Sequence, residues 1–235
     1  MKDLEAKLKA SNAKIKLIIT DGVFSMDAEV APLPELRRLA DKYGASICLD
    51  DCHATGVIGK NGRGTEEHYN MVGGADIITS TLAKALGGAS GGFIAGSRDL
   101  IDFLRIHSRN YIYSIALPPS TVGGALKVLQ LLQEDKTILK RLNQNARLFR
   151  EGMKASGFEV KGIDHPICPV MIRDCVKTWK IADHLHKNGV WVPWIVAPVA
   201  LPGEQKIRVI INAGHSEEDV RRAVAIFKDA RKLIT

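Results

Sequence analysis

Four short apolar runs punctuate the first hundred residues: KLIIT at Lys16–Thr20, SICLD at Ser46–Asp50, DIITS at Asp76–Ser80 and GFIA at Gly92–Ala95. Each has strand length, and amphipathic or polar stretches separate them. One of these, PELRRLADKY at Pro34–Tyr43, puts Leu36, Leu39 and Ala40 on a single helical face, and Gly44 is placed to end it. Another helix is expected at Leu100–His107. Strands that alternate with helices fold as an α/β sheet, mostly parallel.

Beyond Pro118 and Pro119 the texture changes. Helices are expected at Ser120–Gln133, Thr137–Ser156 and Val176–Asn188, with strands at Phe158–Lys161, Pro169–Ile172, Val190–Val192 and Ile207–Ile211. A last helix covers Glu217–Leu233; Ser216 is its N-cap, and Asp219 in the first turn suits the helix dipole. This is an α+β pattern, so two domains are expected, 1–132 and 133–235. A short helix opens the chain. Four strands are few for an open parallel sheet, which predicts that part of the first domain lies outside this chain.

Charge and composition narrow the function. The 235 residues carry 33 Lys+Arg against 26 Asp+Glu, a net charge of +7. The basic residues are scattered, with no long block, so no nucleic-acid site is expected; an anionic substrate such as a phosphate or coenzyme A is compatible with the charge. No apolar run approaches the ~18 residues of a membrane span. The start, MKDLEAKLKASNAKIK, lacks the apolar core of a secretory signal. Cys48, Cys52, Cys168 and Cys175 form no CxxC pair and no zinc-ligand spacing, so reduced thiols and no metal are expected, with Cys48 and Cys52 as candidate reactive groups.

Three segments carry chemistry. LDDCHATG, Leu49–Gly56, falls at the carboxyl end of a buried strand, where open α/β sheets bind ligands. Asp50 there can meet a cationic ligand nitrogen, with His53 three residues on; alternatively Asp50 or Asp51 caps the next turn and His53 is polar surface. In STLAKALGGASGG, Ser80–Gly92, Lys84 follows a strand and precedes glycines that let backbone approach a ligand closely. Its amine can form a Schiff base with an aldehyde, and Thr81 can bind a phosphate; the alternative is a surface loop lysine. In KIRVIINAGH, Lys206–His215, the Arg208 guanidinium suits a carboxylate, or else serves a structural ion pair. A lysine for an aldehyde, an acid for a pyridine nitrogen, hydroxyls for a phosphate and an arginine for an amino-acid carboxylate together point to pyridoxal phosphate chemistry.

TDGVFSMD (Thr20–Asp27), DDCHATG, GRGTEE (Gly62–Glu67), STLAKALGGASGG and DHPICPVM (Asp164–Met171) occur in this order. With them the chain closely resembles, over essentially its whole length, the α-oxoamine synthases, pyridoxal phosphate enzymes of the aspartate-aminotransferase fold. The wording is nearest to the branch that joins glycine to acetyl-CoA. The resemblance implies that Lys84 is the Schiff-base lysine and catalytic base. It implies that Asp50 keeps the pyridine nitrogen protonated and that His53 and Ser25 contact the cofactor's phenolic oxygen. Thr81 matches the phosphate-binding hydroxyl, and Arg208 matches the holder of the substrate carboxylate. It further implies a homodimer, a cytoplasmic location (mitochondrial in a eukaryote), and a ring-stacking His and phosphate donors in an N-terminal part outside this chain.

Some positions depart from the family pattern: Ala83 stands before the lysine where a glycine is usual, and Ile115 and Ala116 follow Ser114 where polar residues are usual. The alternatives are another acyl transfer of the family, such as 8-amino-7-oxononanoate or 5-aminolevulinate synthesis, and a truncated non-catalytic remnant.

Overall fold

The computed structural model describes residues 1–87 and 90–233. The chain divides into two compact units, Met1–Phe24 with Val30–Lys136, and Ser25–Glu29 with Thr137–Thr235.

The first unit contains α1 (Lys2–Ala10), β1 (Lys16–Asp21), α2 (Leu33–Tyr43), β2 (Ala45–Asp50), α3 (Thr65–His68), β3 (Ile77–Thr81), β4 (Gly92–Gly96), α4 (Arg98–His107), α5 (Arg109–Ile112) and α6 (Pro119–Glu134). Its sheet runs β1-β2-β3-β4. The β1–β2 and β2–β3 pairs are parallel and β3–β4 is antiparallel, so the sheet is mostly parallel, as the apolar runs predict. Ile18, Ile47, Leu36, Leu39 and Ala40 share one apolar cluster, which packs α2 on the sheet. Gly44 closes α2 in the left-handed conformation at φ +60°, where a side chain would be strained.

The second unit contains α7 (Thr137–Ala155), β5 (Glu159–Val160), β6 (Ile167–Met171), α8 (Cys175–Lys187), β7 (Trp194–Ile195), β8 (Lys206–Ile210) and α9 (Glu217–Arg231). An antiparallel sheet ordered β5-β6-β8-β7 lies against a core in which Phe149, Ile181, Leu185, Ile207 and Phe227 are fully buried. Ser216 and Asp219 form a complete capping box at the start of α9.

One expected strand is displaced. Val190–Val192 does not pair; the strand is Trp194–Ile195, in register with Lys206 and Ile207. The backbone of the earlier segment is already engaged. Val190 N–H donates to Leu185 O at 2.9 Å, and the His186 ring nitrogen Nε2 lies 2.8 Å from Val192 O. Among the described residues, no helix is long and apolar enough to cross a membrane.

Candidate active site

Parallel pairing puts the carboxyl ends of β1, β2 and β3 side by side in the first unit, the edge at which open α/β sheets bind ligands. Asp21 and Asp50 are register partners there, and Asp50 is also opposite Thr79. Burial, and the neighbouring Asp50 carboxylate, push the Asp21 carboxyl above its ordinary range, while Lys84 pulls it back. The Asp50 carboxylate accepts from Cys52 N–H at 3.1 Å and remains partly exposed.

The two adjacent aspartates have different tasks. Asp51 is 2% exposed, and its carboxylate accepts from Thr65 Oγ1 at 2.5 Å and from Thr65 N–H at 3.1 Å. Burial raises its pKa although the Thr65 hydrogen bonds oppose the shift. A Cβ at Gly22 or Gly64 would run into the same carboxylate, so both glycines make room for it. The turn that follows is closed by Ala54 N–H and Thr55 N–H donating to Asp51 O at 3.0 and 2.8 Å, and it carries the partly buried His53. Asp51 is therefore the structural member of the pair, and the Asp50 carboxylate is the more exposed of the two.

Lys84 lies in the loop after β3. Leu82 and Leu86 are buried with Ala125 of α6, holding both sides of the loop while the lysine itself stays exposed. Its Nζ donates to Cys52 Sγ at 2.8 Å. Burial raises the Cys52 thiol pKa, Asp50 adds to this, and the Lys84 hydrogen bond opposes it. Thr81 Oγ1 donates to Gly91 O at 3.1 Å and accepts from Ala83 N–H at 3.0 Å, so the hydroxyl shapes this loop. Gly88 and Ala89 of the glycine-rich stretch lie outside the described residues. The structure thus brings Asp21, Asp50, Cys52 and Lys84 together, and sets His53 on the adjoining turn and Thr81 at the end of β3. The pairing of Asp21 with Asp50 and the Lys84–Cys52 contact escape sequence reading, because only strand register and loop closure bring them about.

Ser25 and Arg208 belong to the second unit. Arg208 Nε donates to Ser25 O at 2.7 Å, so it meets the serine backbone and not its hydroxyl. Burial pulls the guanidinium pKa down, and among the described residues no carboxylate is paired with it. Two strand positions away, Lys206 is buried against Asp27, Nζ to Oδ1 2.6 Å. Sequence reading passes over this pair; its one signal is a lysine at i−2 from the arginine on the same strand.

An exposed amine for an aldehyde, a strand-end carboxylate for a ring nitrogen and a strand-end hydroxyl for a phosphate form a donor set that fits pyridoxal phosphate. Among the described residues there is no cluster of three or more His, Cys, Asp or Glu that could hold a metal ion.

Comparison with known proteins gives a consistent picture. The model of the family "Aminotransferase class I and II" matches residues 1–227. The chain is 48% identical over 234 residues to mouse 2-amino-3-ketobutyrate coenzyme A ligase, mitochondrial, covering 99% of this chain and 56% of that protein. It is 43% identical over 233 residues to 8-amino-7-oxononanoate synthase of Thermosipho melanesiensis, covering 99% and 59%. A high-resolution structure of SPT with PLP superposes with a TM-score of 0.94 at 30% identity, covering 99% of this chain and 59% of that one. The chain therefore spans little more than half the length of the curated relatives it matches.

Proposed function

The chain belongs to the class I and II aminotransferase family, and on that premise we propose that it is the greater part of a glycine C-acetyltransferase. The reaction is acyl transfer from acetyl-CoA to glycine, giving 2-amino-3-oxobutyrate and CoA, or the reverse cleavage. The observation that carries this reading is the 48% identity to mouse 2-amino-3-ketobutyrate coenzyme A ligase over 99% of the chain. The likeness to SPT with PLP supports the cofactor assignment.

Bound pyridoxal phosphate supplies an electron-accepting ring that stabilises negative charge on the carbon next to the amino group. Lys84 is the residue for its aldehyde. Lys84 Nζ is also the base that takes the α-proton of glycine, so that carbon can attack the thioester. Asp50 keeps a proton on the ring nitrogen. His53 and Ser25 hold the phenolic oxygen, and Thr81 the phosphate. Arg208 grips the glycine carboxylate with its guanidinium fork. The net charge of +7 suits the anionic coenzyme A. The working form is a homodimer.

The 43% identity to an 8-amino-7-oxononanoate synthase supports a second reading, in which the acyl group is longer and the amino acid carries a methyl group. The purified chain with pyridoxal phosphate is offered glycine plus acetyl-CoA, or alanine plus a seven-carbon dicarboxylic acyl-CoA, with CoA release followed by chromatography. Faster release from the first pair is expected. Preference for the second pair selects the other reading, and no release from either overturns both.

A further inference from the structure

We propose that Lys206 and Asp27 are positioning residues for Arg208: their ion pair occupies Asp27 and clips Ser25–Glu29 to β8, leaving the guanidinium fork open to a small carboxylate. The inference rests on the proposed role of Arg208 toward the glycine carboxylate and extends it to two residues of no assigned role.

Lys206 and Arg208 are two apart on β8, so their side chains leave the same face of the strand. They reach residues two apart on one segment. Lys206 Nζ is 2.6 Å from Asp27 Oδ1 and 3.3 Å from Met26 O, and Arg208 Nε is 2.7 Å from Ser25 O. The Lys206 side chain is only 4% exposed, so its ammonium depends on Asp27 for compensation. The far side of the segment is pinned independently. Ile163 N–H donates to Ala28 O at 3.2 Å, and Ala28 holds a left-handed φ of +56°. A Cβ on Gly162 would run into Ala28, which closes the fit.

The geometry divides the work. A guanidinium has five N–H donors; the Nε–H is committed to Ser25 O, and the four on the two Nη atoms form the fork that matches a carboxylate. Asp27 is a carboxylate two residues from Ser25 on the same segment, and Lys206 keeps it engaged. Removing the Lys206 charge frees Asp27 to capture Arg208 in place of the substrate.

The test combines kinetics with a readout independent of the cofactor. In Lys206→Met the glycine KM is expected to rise on the order of tenfold, with kcat within about twofold, because a charge-assisted contact is redirected. Lys206→Gln keeps a donor for Asp27 and Met26 O, and is expected to shift KM the same way by less. The double variant Lys206→Met/Asp27→Asn removes the rival and is expected to restore KM, which a merely structural role would not do. Hydrogen exchange of the Arg208 Nε–H, followed by NMR on the chain without cofactor, is expected to be slow in wild type and faster in Lys206→Met. Unchanged KM and exchange in the single variants overturn the proposal, as does a double variant no better than Lys206→Met. A wild type without glycine turnover, but with the expected exchange pattern, overturns the proposed reaction and leaves the positioning of Arg208 standing.

Discussion

Lys84 Nζ donates to Cys52 Sγ across 2.8 Å, joining the loop after β3 to the turn after β2, whose Cys52 N–H donates to the Asp50 carboxylate. The contact fixes an otherwise exposed side chain at the sheet edge, where an aldehyde can reach it. Reduction with borohydride in the presence of pyridoxal phosphate, followed by peptide mapping, is expected to put the pyridoxyl group on Lys84. A label on any other lysine overturns the assignment.

The same surroundings rank the thiols. Burial raises the pKa of Cys48, Cys52 and Cys168, the last to about 11, whereas Cys175 is exposed. A raised thiol pKa means less thiolate at neutral pH. Alkylation by iodoacetamide, mapped by mass spectrometry, is expected at Cys175 first and at Cys168 last. The Cys48 and Cys52 rates should climb with pH beyond the ordinary thiol range. Early labelling of Cys168 would contradict the burial described for it.

Asp50 and Asp51 are expected to respond differently to substitution. Asp50→Asn should keep the fold and lose most turnover, since the ring nitrogen is no longer held protonated; near-normal rates would refute that role. Asp51→Ala strips the Thr65 N–H and Oγ1 of their buried partner, at about 1–3 kcal/mol of stability. Urea denaturation measures the loss.

A pH dependence follows from Asp51. Its folded pKa lies above the unfolded value, so the folded state holds the proton more tightly. The stabilising contribution is then complete below the unfolded pKa and is lost as pH rises through the folded one. Asp51→Asn mimics the protonated form. From about pH 4 upward the stability of wild type is expected to fall relative to Asp51→Asn, until the folded carboxyl has lost its proton. A gap independent of pH would show that the carboxyl titrates as it does in the unfolded chain.

Arg208→Ala is expected chiefly to weaken glycine. Losing a charge-assisted bidentate contact costs on the order of 2–4 kcal/mol, which is roughly thirty-fold to several hundred-fold in affinity. Initial rates over a range of glycine concentrations measure it, and an unchanged KM would exclude the contact.

Much of this architecture is legible in the sequence because it rests on local pattern. The apolar runs locate β1 to β4, Leu36, Leu39 and Ala40 locate the buried face of α2, and Ser216 with Asp219 marks the start of α9. Periodicity and capping depend on neighbours within a turn or two. Three features are not legible from periodicity or capping. Asp51 becomes structural only because Thr65 folds onto it. Val190–Val192 has strand composition, but its backbone is engaged by Leu185 and His186. Ser25–Glu29 joins the second unit through Lys206 and Arg208, which no local signal announces.

That last feature sets an order of events during synthesis. Lys206 and Arg208 meet Met26 and Ser25 across 180 and 183 residues of sequence. Synthesis runs from the N-terminal side, so Ser25–Glu29 is made well before β8 and has no partner until β8 follows. A growing chain can form β1, β2 and α2 well before then, because those contacts are local. The second unit must instead wait until β8 has been made, and then recover five residues that precede the rest of it by more than a hundred positions.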